Sequence, residues 1–388
     1  MSEAAGLVGD RTIHVVGAGS AGSAAAITAA NAGARVVVHE REEHVGARFH
    51  GDWQGLENWT TRDDVVAELG AVGLVPGCEV TPFFEQTCFD PDGRESVARS
   101  QRPLFYLLRR GPGPGTLDAG LLGQARSGGV EVRFSDRVDH LPEGGIIATG
   151  PRAADAIAVG YLFGTDRADG AFFAFDNRLA PGGYAYLLVH NGRATLAMCL
   201  FSDFHNERTY LERTVAFFRD RFGLTMSEPR RFSGFGDFDL PATAVRGKFL
   251  LAGEAVGFQD MLWGFGMRHA LLSGQLAALA LVPGKPETYD RLWRRRLGGQ
   301  IRTALVNRLI LERLGDRGYR WLRSCAVRAS SADKWLCRQY SPSWAKTAVL
   351  PVARHGAHGH RRQDECPDPT CDCTWCRCQH GNMRKEGQ

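Results

Sequence analysis

The sequence predicts an α/β fold in which a parallel-sheet domain is interleaved with an antiparallel β-sheet domain, with helices and a Cys-rich tail following. A strand, turn, helix and strand in residues 12–40 predict the parallel sheet, because parallel strands need a helical crossover. Alternating runs with turn signals in residues 157–201 predict the antiparallel sheet, and residues 286–350 have a helical pattern. The 388 residues, 44% of them hydrophobic, are enough for two interleaved domains.

The first predicted elements of the chain are a strand, a turn, a helix and a second strand in close succession. Thr12–Val16 is a short β-rich run that ends in a turn of small residues, Gly17–Gly22. A helix of small residues, Ser23–Asn31, follows, and Arg35–His39 is the second predicted strand. This order is the context that a dinucleotide-binding motif requires, and it predicts a Rossmann-type βαβ unit.

The turn has the GxGxxG pattern that is typical of binding the ADP half of a dinucleotide. Gly17 allows the tight turn, Gly19 lets the backbone approach a pyrophosphate, and Gly22 lets the helix and strand pack closely. The helix N-terminus also favours the charge of the phosphates. Glu40 closes the second strand, where a carboxylate binds both ribose hydroxyls, and it disfavours NADP. A structural Gly-rich turn is the alternative, and the context favours dinucleotide binding.

The remaining elements alternate between the two predicted domains. Asn191-Gly192 between apolar runs is a strong hairpin signal. Further strands are predicted at 104–110, 130–134, 145–149 and 248–252, and helices at 116–127, 207–223 and 266–281. We assign residues 10–155 and 240–285 to a discontinuous Rossmann-like nucleotide-binding domain, 156–239 to a mainly antiparallel substrate domain, 286–352 to a basic C-terminal helical region and 353–388 to a His/Cys-rich tail.

A second glycine-rich stretch lies far from the first, between Leu250 and Arg268. It has an acidic turn at Gly253-Glu254 and a glycine-rich helix start at Gly264–Gly266. In this order after the N-terminal motif, it resembles flavoproteins of the geranylgeranyl reductase family, within the wider group that shares the p-hydroxybenzoate hydroxylase fold. The resemblance implies that the cofactor is FAD and that two distant parts of the chain hold it.

The resemblance also implies roles for individual residues. Glu254 corresponds to the acid that binds the flavin ribityl chain, and the helix start points its N–H groups at the isoalloxazine ring. Arg110, followed by Asp118, resembles the segment whose Arg contacts the cofactor. The implied cofactor-binding residues are Gly17, Ala18, Gly19, Ser20, Gly22, Glu40, Arg41, Arg48, Arg110, Ala148, Thr149, Gly150, Gly253, Glu254, Gly264, Phe265, Gly266 and Met267. Tyr184, Tyr186 and Trp263 are implied on the substrate side.

Three positions depart from the family pattern. Glu254 stands where the family usually has Asp, Tyr186 stands where its GYxW strand has Trp, and residues 48–60 lack the cysteine that is common in prenyl reductases. These departures concern the isoprenoid substrate rather than the flavin. No two tryptophans are two residues apart, so the Trp-x-Trp pair of halogenases with this fold is absent and halogenation is disfavoured.

Residues 48–60 combine acidic, histidine and tryptophan side chains on a predicted loop, and loops of this kind often face a ligand. Reducing an alkene needs a hydride from flavin N5 and a proton from another group. His50, Asp52 and Glu57 are therefore candidate proton donors. Surface packing of the two tryptophans in this segment is the alternative.

Half of the ten cysteines are crowded into the tail. Thiolates this close can hold a metal, and we predict zinc or an iron–sulfur cluster, although the spacing is not that of a zinc ribbon or a common ferredoxin. Redox-active thiols and a tail without function are the alternatives. The candidate ligands are Cys366, Cys371, Cys373, Cys376, Cys378 and His380.

Charge is distributed unevenly along the chain. Residues 285–362 hold 18 Lys or Arg and 5 Asp or Glu, whereas the rest of the chain holds 29 and 38. Region 286–352 could therefore contact a membrane surface peripherally, or pack on the core with an Arg-rich outer face. No specific nucleic acid is expected. Because we find neither a signal-peptide pattern nor a long apolar run, we expect a cytoplasmic protein, and a peripheral position at the inner membrane face stays open.

Together these features predict an FAD-dependent oxidoreductase that reduces, or oxidises, a small apolar, isoprenoid-like substrate by hydride transfer at flavin N5. The electron donor stays open, because no separate GxGxxG motif for a nicotinamide cofactor appears later in the chain. The alternatives are a flavin monooxygenase of the same fold, a non-redox relative that binds or cyclises prenyl groups, and a metal-binding or assembly protein that uses the tail.

Overall fold

A computed structural model describes residues 12–138, 141–360 and 370–377, with the backbone alone for residues 355–360. In chain order its strands are β1 (Ile13–Val16), β2 (Val36–His39), β3 (Trp53–Glu57), β4 (Thr81–Phe83), β5 (Glu85–Phe89), β6 (Glu95–Arg99), β7 (Phe105–Arg109), β8 (Glu131–Arg133), β9 (Gly145–Ile147), β10 (Ala156–Gly164), β11 (Gly170–Ala174), β12 (Tyr184–His190), β13 (Arg193–Leu200), β14 (Ser227–Gly236), β15 (Val245–Arg246) and β16 (Phe249–Leu251). Its α-helices are α1 (Ser20–Asn31), α2 (Val65–Ala71), α3 (Leu117–Ser127), α4 (Glu207–Phe222), α5 (Met267–Leu281), α6 (Tyr289–Arg296), α7 (Gly298–Leu314), α8 (Asp316–Arg328), α9 (Ala332–Tyr340) and α10 (Trp344–His360).

A six-stranded sheet carries the glycine-rich turn, with the strand order β15-β16-β9-β1-β2-β8. Its pairs are parallel, apart from the antiparallel edge pair of β15 with β16. All four residues of β2 are buried, as a strand covered on both faces should be. The predicted α/β fold with a parallel, Rossmann-like sheet is confirmed.

Two helices from distant parts of the chain pack against each other beside this sheet. α1 consists almost entirely of small residues, and Ser20–Ala29 are buried. A Cβ on Gly274 of α5 would lie 2.0 Å from the Ala21 carbonyl oxygen, so the two helix backbones touch. This contact brings the second glycine-rich stretch to the first one.

A seven-stranded sheet forms the other half, with the order β14-β10-β13-β12-β11-β5-β6. Its pairs are antiparallel except β11 with β5. Asn191 and Gly192 both have positive φ (50° and 70°), as a two-residue hairpin turn requires, and they join β12 to β13. β5 and β6 lie inside the predicted 10–155 segment but belong to this sheet.

Two local predictions differ from the structure. Residues 48–60 were expected to form a loop, but Trp53–Glu57 form β3 of a small sheet with the order β3-β7-β4. Gln54 and Gly55 weaken the local strand signal, and the pairing with β7 supplies the hydrogen bonds. α1 begins at Ser20 rather than Ser23, because the glycine turn ends within the first helical turn.

The basic C-terminal region is helical and packs on the core. Tyr289, Trp293, Tyr319 and Tyr340 of its helices are buried. α10 continues to His360, past the predicted border of the tail. Among the helices that the structure describes, none is both long and apolar enough to cross a membrane.

Candidate cofactor and substrate site

The turn between β1 and α1 lines a cleft of about 940 Å³, called the cofactor cleft below. Gly17 has φ = +99°, and a Cβ there would lie 2.4 Å from the Ala148 carbonyl oxygen; a Cβ on Gly22 would lie 1.8 Å from the Gly17 oxygen. Gly19 differs, because its backbone is ordinary (φ −67°, ψ −177°) and a Cβ would meet no atom within 4 Å. The protein's own packing explains Gly17 and Gly22, and the open space at Gly19 fits the pyrophosphate of FAD.

Glu40 lies just after β2 and faces the same turn. Its carboxylate accepts the backbone N–H of Ala18 at 2.7 Å and that of Glu42 at 3.1 Å. Arg41 lines the cleft and pairs with Glu42 at 2.8 Å, and Ala148–Gly150 line the cleft after β9. The carboxylate is therefore fixed at the end of the cleft where the sequence predicts the adenosine half.

A buried ion pair places a cation at the start of α1. Arg110 donates two hydrogen bonds to Asp118, at 2.9 and 2.8 Å, and a third to the Ser20 hydroxyl at 3.1 Å. Asp118 also accepts the N–H of Gly111 at 2.9 Å. Burial opposes the charge on Arg110, but Asp118 outweighs it and the pKa of the guanidinium is raised. A fixed cation beside a helix N-terminus suits a pyrophosphate.

Glu254 meets a partner from a distant segment. Its Oε2 accepts a hydrogen bond from Arg48 at 2.6 Å, and Arg48 also donates to the Phe235 carbonyl at 2.6 Å. Gly253 has φ = +62° and contacts α1, since a Cβ there would lie 2.9 Å from the Ala21 Cβ. Arg48 thus joins the acidic turn to β14 across the cofactor cleft, beside the predicted position of the ribityl chain.

Asp260 shapes the loop that the resemblance puts beside the flavin ring. It is buried, accepts the N–H groups of Leu262 and Trp263 at 3.2 and 3.1 Å, and accepts the Tyr340 hydroxyl at 2.7 Å. Burial raises the pKa of Asp260 to about 6. Gly264 has φ = +80°, so the loop turns sharply before Gly266 and Met267 open α5 towards the cleft.

One face of the large sheet forms the opposite wall of the cleft. Tyr184, Tyr186 and Cys199 line it, and Tyr184 donates to the Trp263 carbonyl at 2.9 Å. Burial raises the pKa of both tyrosines well above the ordinary value and that of Cys199 to about 12, so all three groups are neutral. Sequence reasoning missed Cys199, which is placed here only by the register of β12 with β13.

The three candidate proton donors have different surroundings. His50 is exposed and Asp52 is buried; both line the cleft, and the Asp52 carboxylate accepts the backbone N–H of His50 at 3.0 Å. Glu57 is buried behind the lining, with its carboxylate 4.0 Å from His269 Nδ1. Burial raises the pKa of Glu57 to about 7 and lowers that of His269 to about 3.

A second, smaller pocket of about 100 Å³, called the apolar pocket below, adjoins the cleft. Phe173, Tyr184, Trp263 and Phe265 line both. Its remaining walls come mainly from β5, β6, α8 and α9, with Trp59 after β3 and Phe175 after β11. The residues from the four elements include Cys88, Val97, Tyr319, Leu322, Ala326, Val327, Trp335 and Leu336.

The structure brings three of the six predicted metal ligands together with one that was not predicted. Cys371, Cys373 and Cys376 and the ring of His205 place one ligand atom each within 4.8 Å of one another. Cys366, Cys378 and His380 lie outside the described residues. His205 could not be found from the tail alone, because it lies 166 residues before Cys371 on the turn that leads into α4.

The comparisons with known proteins support FAD as the cofactor of this cleft. A family model described as FAD dependent oxidoreductase matches residues 12–52, which hold the glycine turn and Glu40. A solved geranylgeranyl bacteriochlorophyll reductase-like protein from Thermoplasma acidophilum superposes with a TM-score of 0.68 at 15% identity, over 88% of this chain and 99% of that one. The fold and the glycine turn of the cleft are thus similar to those of FAD-dependent oxidoreductases.

Two curated relatives make the resemblance more specific. The digeranylgeranylglycerophospholipid reductase of Haloferax volcanii is 25% identical over 264 residues, 51% of this chain and 64% of the relative. Digeranylgeranylglycerophospholipid reductase 1 of Methanothermobacter thermautotrophicus is 24% identical over 364 residues, 80% of this chain and 89% of the relative. The predicted resemblance to the geranylgeranyl reductase family is confirmed, and the chain spans just under two thirds of the length of the first relative.

Proposed function

We propose that this chain reduces carbon–carbon double bonds in an apolar, isoprenoid-like substrate. The observation that carries the proposal is the junction of the apolar pocket with the cofactor cleft at Trp263 and Phe265. These residues belong to the loop that the resemblance puts beside the flavin ring, so a chain lying in the pocket would end at the ring. FAD, when bound and reduced, supplies hydride from N5.

The residues around this junction suit an apolar chain. Phe175 lies 5.3 Å from Trp263 and Trp59 lies 5.0 Å from Phe265, measured between ring centroids. Val97 and Val327 at the rim are exposed, so the pocket reaches the surface and a longer chain can continue outside it. Side chains of this kind bind by burying apolar area and exclude water from the reacting bond.

The proton that completes the reduction comes from another group on the chain. We propose His50, with Asp52 as its neighbour, because both side chains line the cofactor cleft and the Asp52 carboxylate holds the backbone N–H of His50 in place. Glu57 is a weaker candidate, since it faces His269 rather than the cleft. A His50→Gln variant should lower turnover and change its pH dependence while FAD absorbance is unchanged. Turnover and pH dependence like those of the unmodified chain would exclude His50.

The test uses the holoenzyme, its flavin reduced with one equivalent of dithionite under strict anaerobiosis, and a detergent-dispersed glycerophospholipid with geranylgeranyl chains. We expect oxidation of the reduced flavin and a lipid mass that increases by two hydrogens for each double bond reduced. Ala326→Trp should fill the apolar pocket and slow turnover by roughly tenfold or more, which corresponds to about 1.4 kcal/mol. Ser324→Trp is the matched control, on the same helix and outside the pocket lining.

Two results would overturn this proposal. A product that forms only with oxygen would indicate a monooxygenase of the same fold. Equal slowing by Ala326→Trp and Ser324→Trp would mean that the apolar pocket does not hold the substrate.

We further propose that the basic helices contact an anionic lipid surface. Trp321, Val327 and Trp344 are 52%, 59% and 86% exposed in this Arg-rich region, and Val327 also lines the apolar pocket. Basic helices with exposed apolar side chains bind anionic interfaces. The full chain should sediment with phosphatidylglycerol vesicles at low salt and less at high salt, and Trp344→Ser should weaken this binding. Absence of sedimentation at low salt would exclude the contact.

A further inference from the structure

The Cys-rich segment is docked on the side of the large sheet, on the turn before α4. Trp375 is buried, stacks on Phe204 at 6.2 Å between ring centroids, and donates its indole N–H to the Ala154 carbonyl at 3.2 Å. The backbone N–H of Thr374 donates to Glu207 at 2.9 Å. These contacts hold a segment with little apolar content against a folded surface, and they place its cysteines over His205.

The ligand atoms of this cluster lie at the spacing of a tetrahedral site. His205 Nδ1 is 3.4 Å from Cys373 Sγ and 3.6 Å from Cys376 Sγ. With Zn–S near 2.3 Å and Zn–N near 2.0 Å, the N···S edge of a tetrahedron is about 3.5 Å. Cys371 supplies the third sulfur, within 4.8 Å of the other ligand atoms.

We propose that Cys371, Cys373, Cys376 and His205 bind one Zn²⁺ ion as a structural site. Three thiolates and one imidazole complete a four-coordinate shell and leave no open position for a substrate or water, which is the arrangement of structural rather than catalytic zinc. Binding displaces the three thiol protons to solvent, and the neutral imidazole coordinates through Nδ1.

Two further features favour a single zinc ion over other uses of these thiols. The backbone N–H of Cys376 points at Cys373 Sγ at 3.5 Å, and such N–H groups orient and stabilise a coordinating thiolate. An iron–sulfur cluster divides its protein ligands between two or more iron atoms, so some of them lie farther apart than four ligands that share one ion. A disulfide would use only two of the thiols, whereas the His205 ring nitrogen lies 3.4 and 3.6 Å from two sulfurs.

The site fastens the C-terminal segment to the wall of the cofactor cleft. The segment contacts Ala154 through Trp375 and Ser233 through Arg377, and Ser233 on β14 lines the cleft. Zinc has no redox chemistry, so the ion stabilises this wall and does not relay electrons to the flavin.

The experiment measures metal in the full chain, purified without a polyhistidine tag or chelator, by elemental analysis. We expect about one zinc per chain and no matching iron or sulfide. Cys373→Ser and His205→Asn should each lose most of the zinc and make the segment after residue 360 more sensitive to protease. Cys337→Ser is the matched control, because Cys337 is a free cysteine on α9 that is not part of the cluster, and it should keep the zinc.

The proposal has three refuting results. The first is the absence of zinc both as purified and after titration with zinc sulfate. The second is iron with sulfide in place of zinc. The third is retention of zinc by both Cys373→Ser and His205→Asn. If a variant fails to fold, the metal content of the unmodified chain still decides whether the chain binds zinc.

Discussion

Gly19→Ala tests the cofactor cleft most sharply, because the protein itself has no need of a glycine there. The backbone of Gly19 is in a region that alanine adopts freely, and the added Cβ would meet no protein atom within 4 Å. At an N-cap, alanine is slightly less favourable for the folded state than glycine. Alanine also lowers the conformational entropy of the unfolded chain, which stabilises the folded state by about 0.4–1 kcal/mol. The free energy of unfolding of the apoprotein should therefore change by less than about 1 kcal/mol.

Binding of FAD should respond differently to the same methyl group. The methyl would occupy the open space where the pyrophosphate approaches the backbone, so at least one hydrogen bond to a charged phosphate would be lost. A bond of that kind contributes about 1.5–3 kcal/mol. The Kd for FAD should therefore rise by roughly 10- to 100-fold.

The assay titrates apoprotein with FAD and follows the quenching of flavin fluorescence, with urea unfolding of the same apoprotein alongside. Gly22→Ala is the control for a purely structural glycine, because its Cβ would lie 1.8 Å from the Gly17 oxygen. It should destabilise the apoprotein itself. If Gly19→Ala binds FAD as tightly as the unmodified chain, the turn does not hold the pyrophosphate and the reasoning fails.

Three further variants test how the cleft is supported. Asp118→Ala should lower the free energy of unfolding by about 3–5 kcal/mol, because it leaves Arg110 buried without its counter-ion. Urea denaturation measures this loss, and a loss under about 1 kcal/mol would contradict the prediction. Tyr340→Phe removes the hydroxyl that donates to Asp260 and should lower the free energy of unfolding by about 1.5–3 kcal/mol. It should also shift the visible flavin spectrum. An unchanged spectrum would mean that α9 does not influence the loop beside the flavin. Burial raises the pKa of Glu57 to about 7 from 4.5, so the folded state binds more protons between these values and stability falls as pH rises through them. Relative to Glu57→Gln, the unmodified chain should lose up to about 3 kcal/mol from pH 4.5 to 7, and a difference that does not vary with pH would mean that Glu57 titrates normally.

The nucleotide-binding half could be predicted because its signals are local and consecutive. Strands β1 and β2, helix α1 and the glycine turn all lie within residues 13–39, and each has its own pattern of small or β-branched residues. The second stretch at 253–267 was found in the same way. Its meeting with the first depends on the contact between Gly274 and Ala21, which no local pattern reveals.

The features that were missed depend on contacts between distant residues. β3 was expected to be a loop, because Gly55 and Gln54 obscure its alternation and β7 supplies the pairing. Cys199 has no local signal of a site, and only the register of β13 with β12 places it in the lining of the cleft. His205 carries no signal of its own, since it becomes a candidate ligand only when the tail docks beside it.

The sequence leaves two interpretations of the basic helices, packing on the core and contact with a membrane surface. One region can do both, because its inner and outer sides differ. On the inner side, Tyr340 braces Asp260 and Tyr319 donates to the Gly183 carbonyl at 2.7 Å, so these helices complete the loop and sheet around the proposed substrate. On the outer side, Trp321 and Val327 are exposed among arginines. Because Val327 also lines the apolar pocket, an apolar chain leaving a lipid surface at α8 would enter the pocket without crossing water. The substrate route and the proposed lipid contact therefore share α8, and loss of vesicle binding should lower turnover on vesicle-embedded lipid more than on detergent-dispersed lipid.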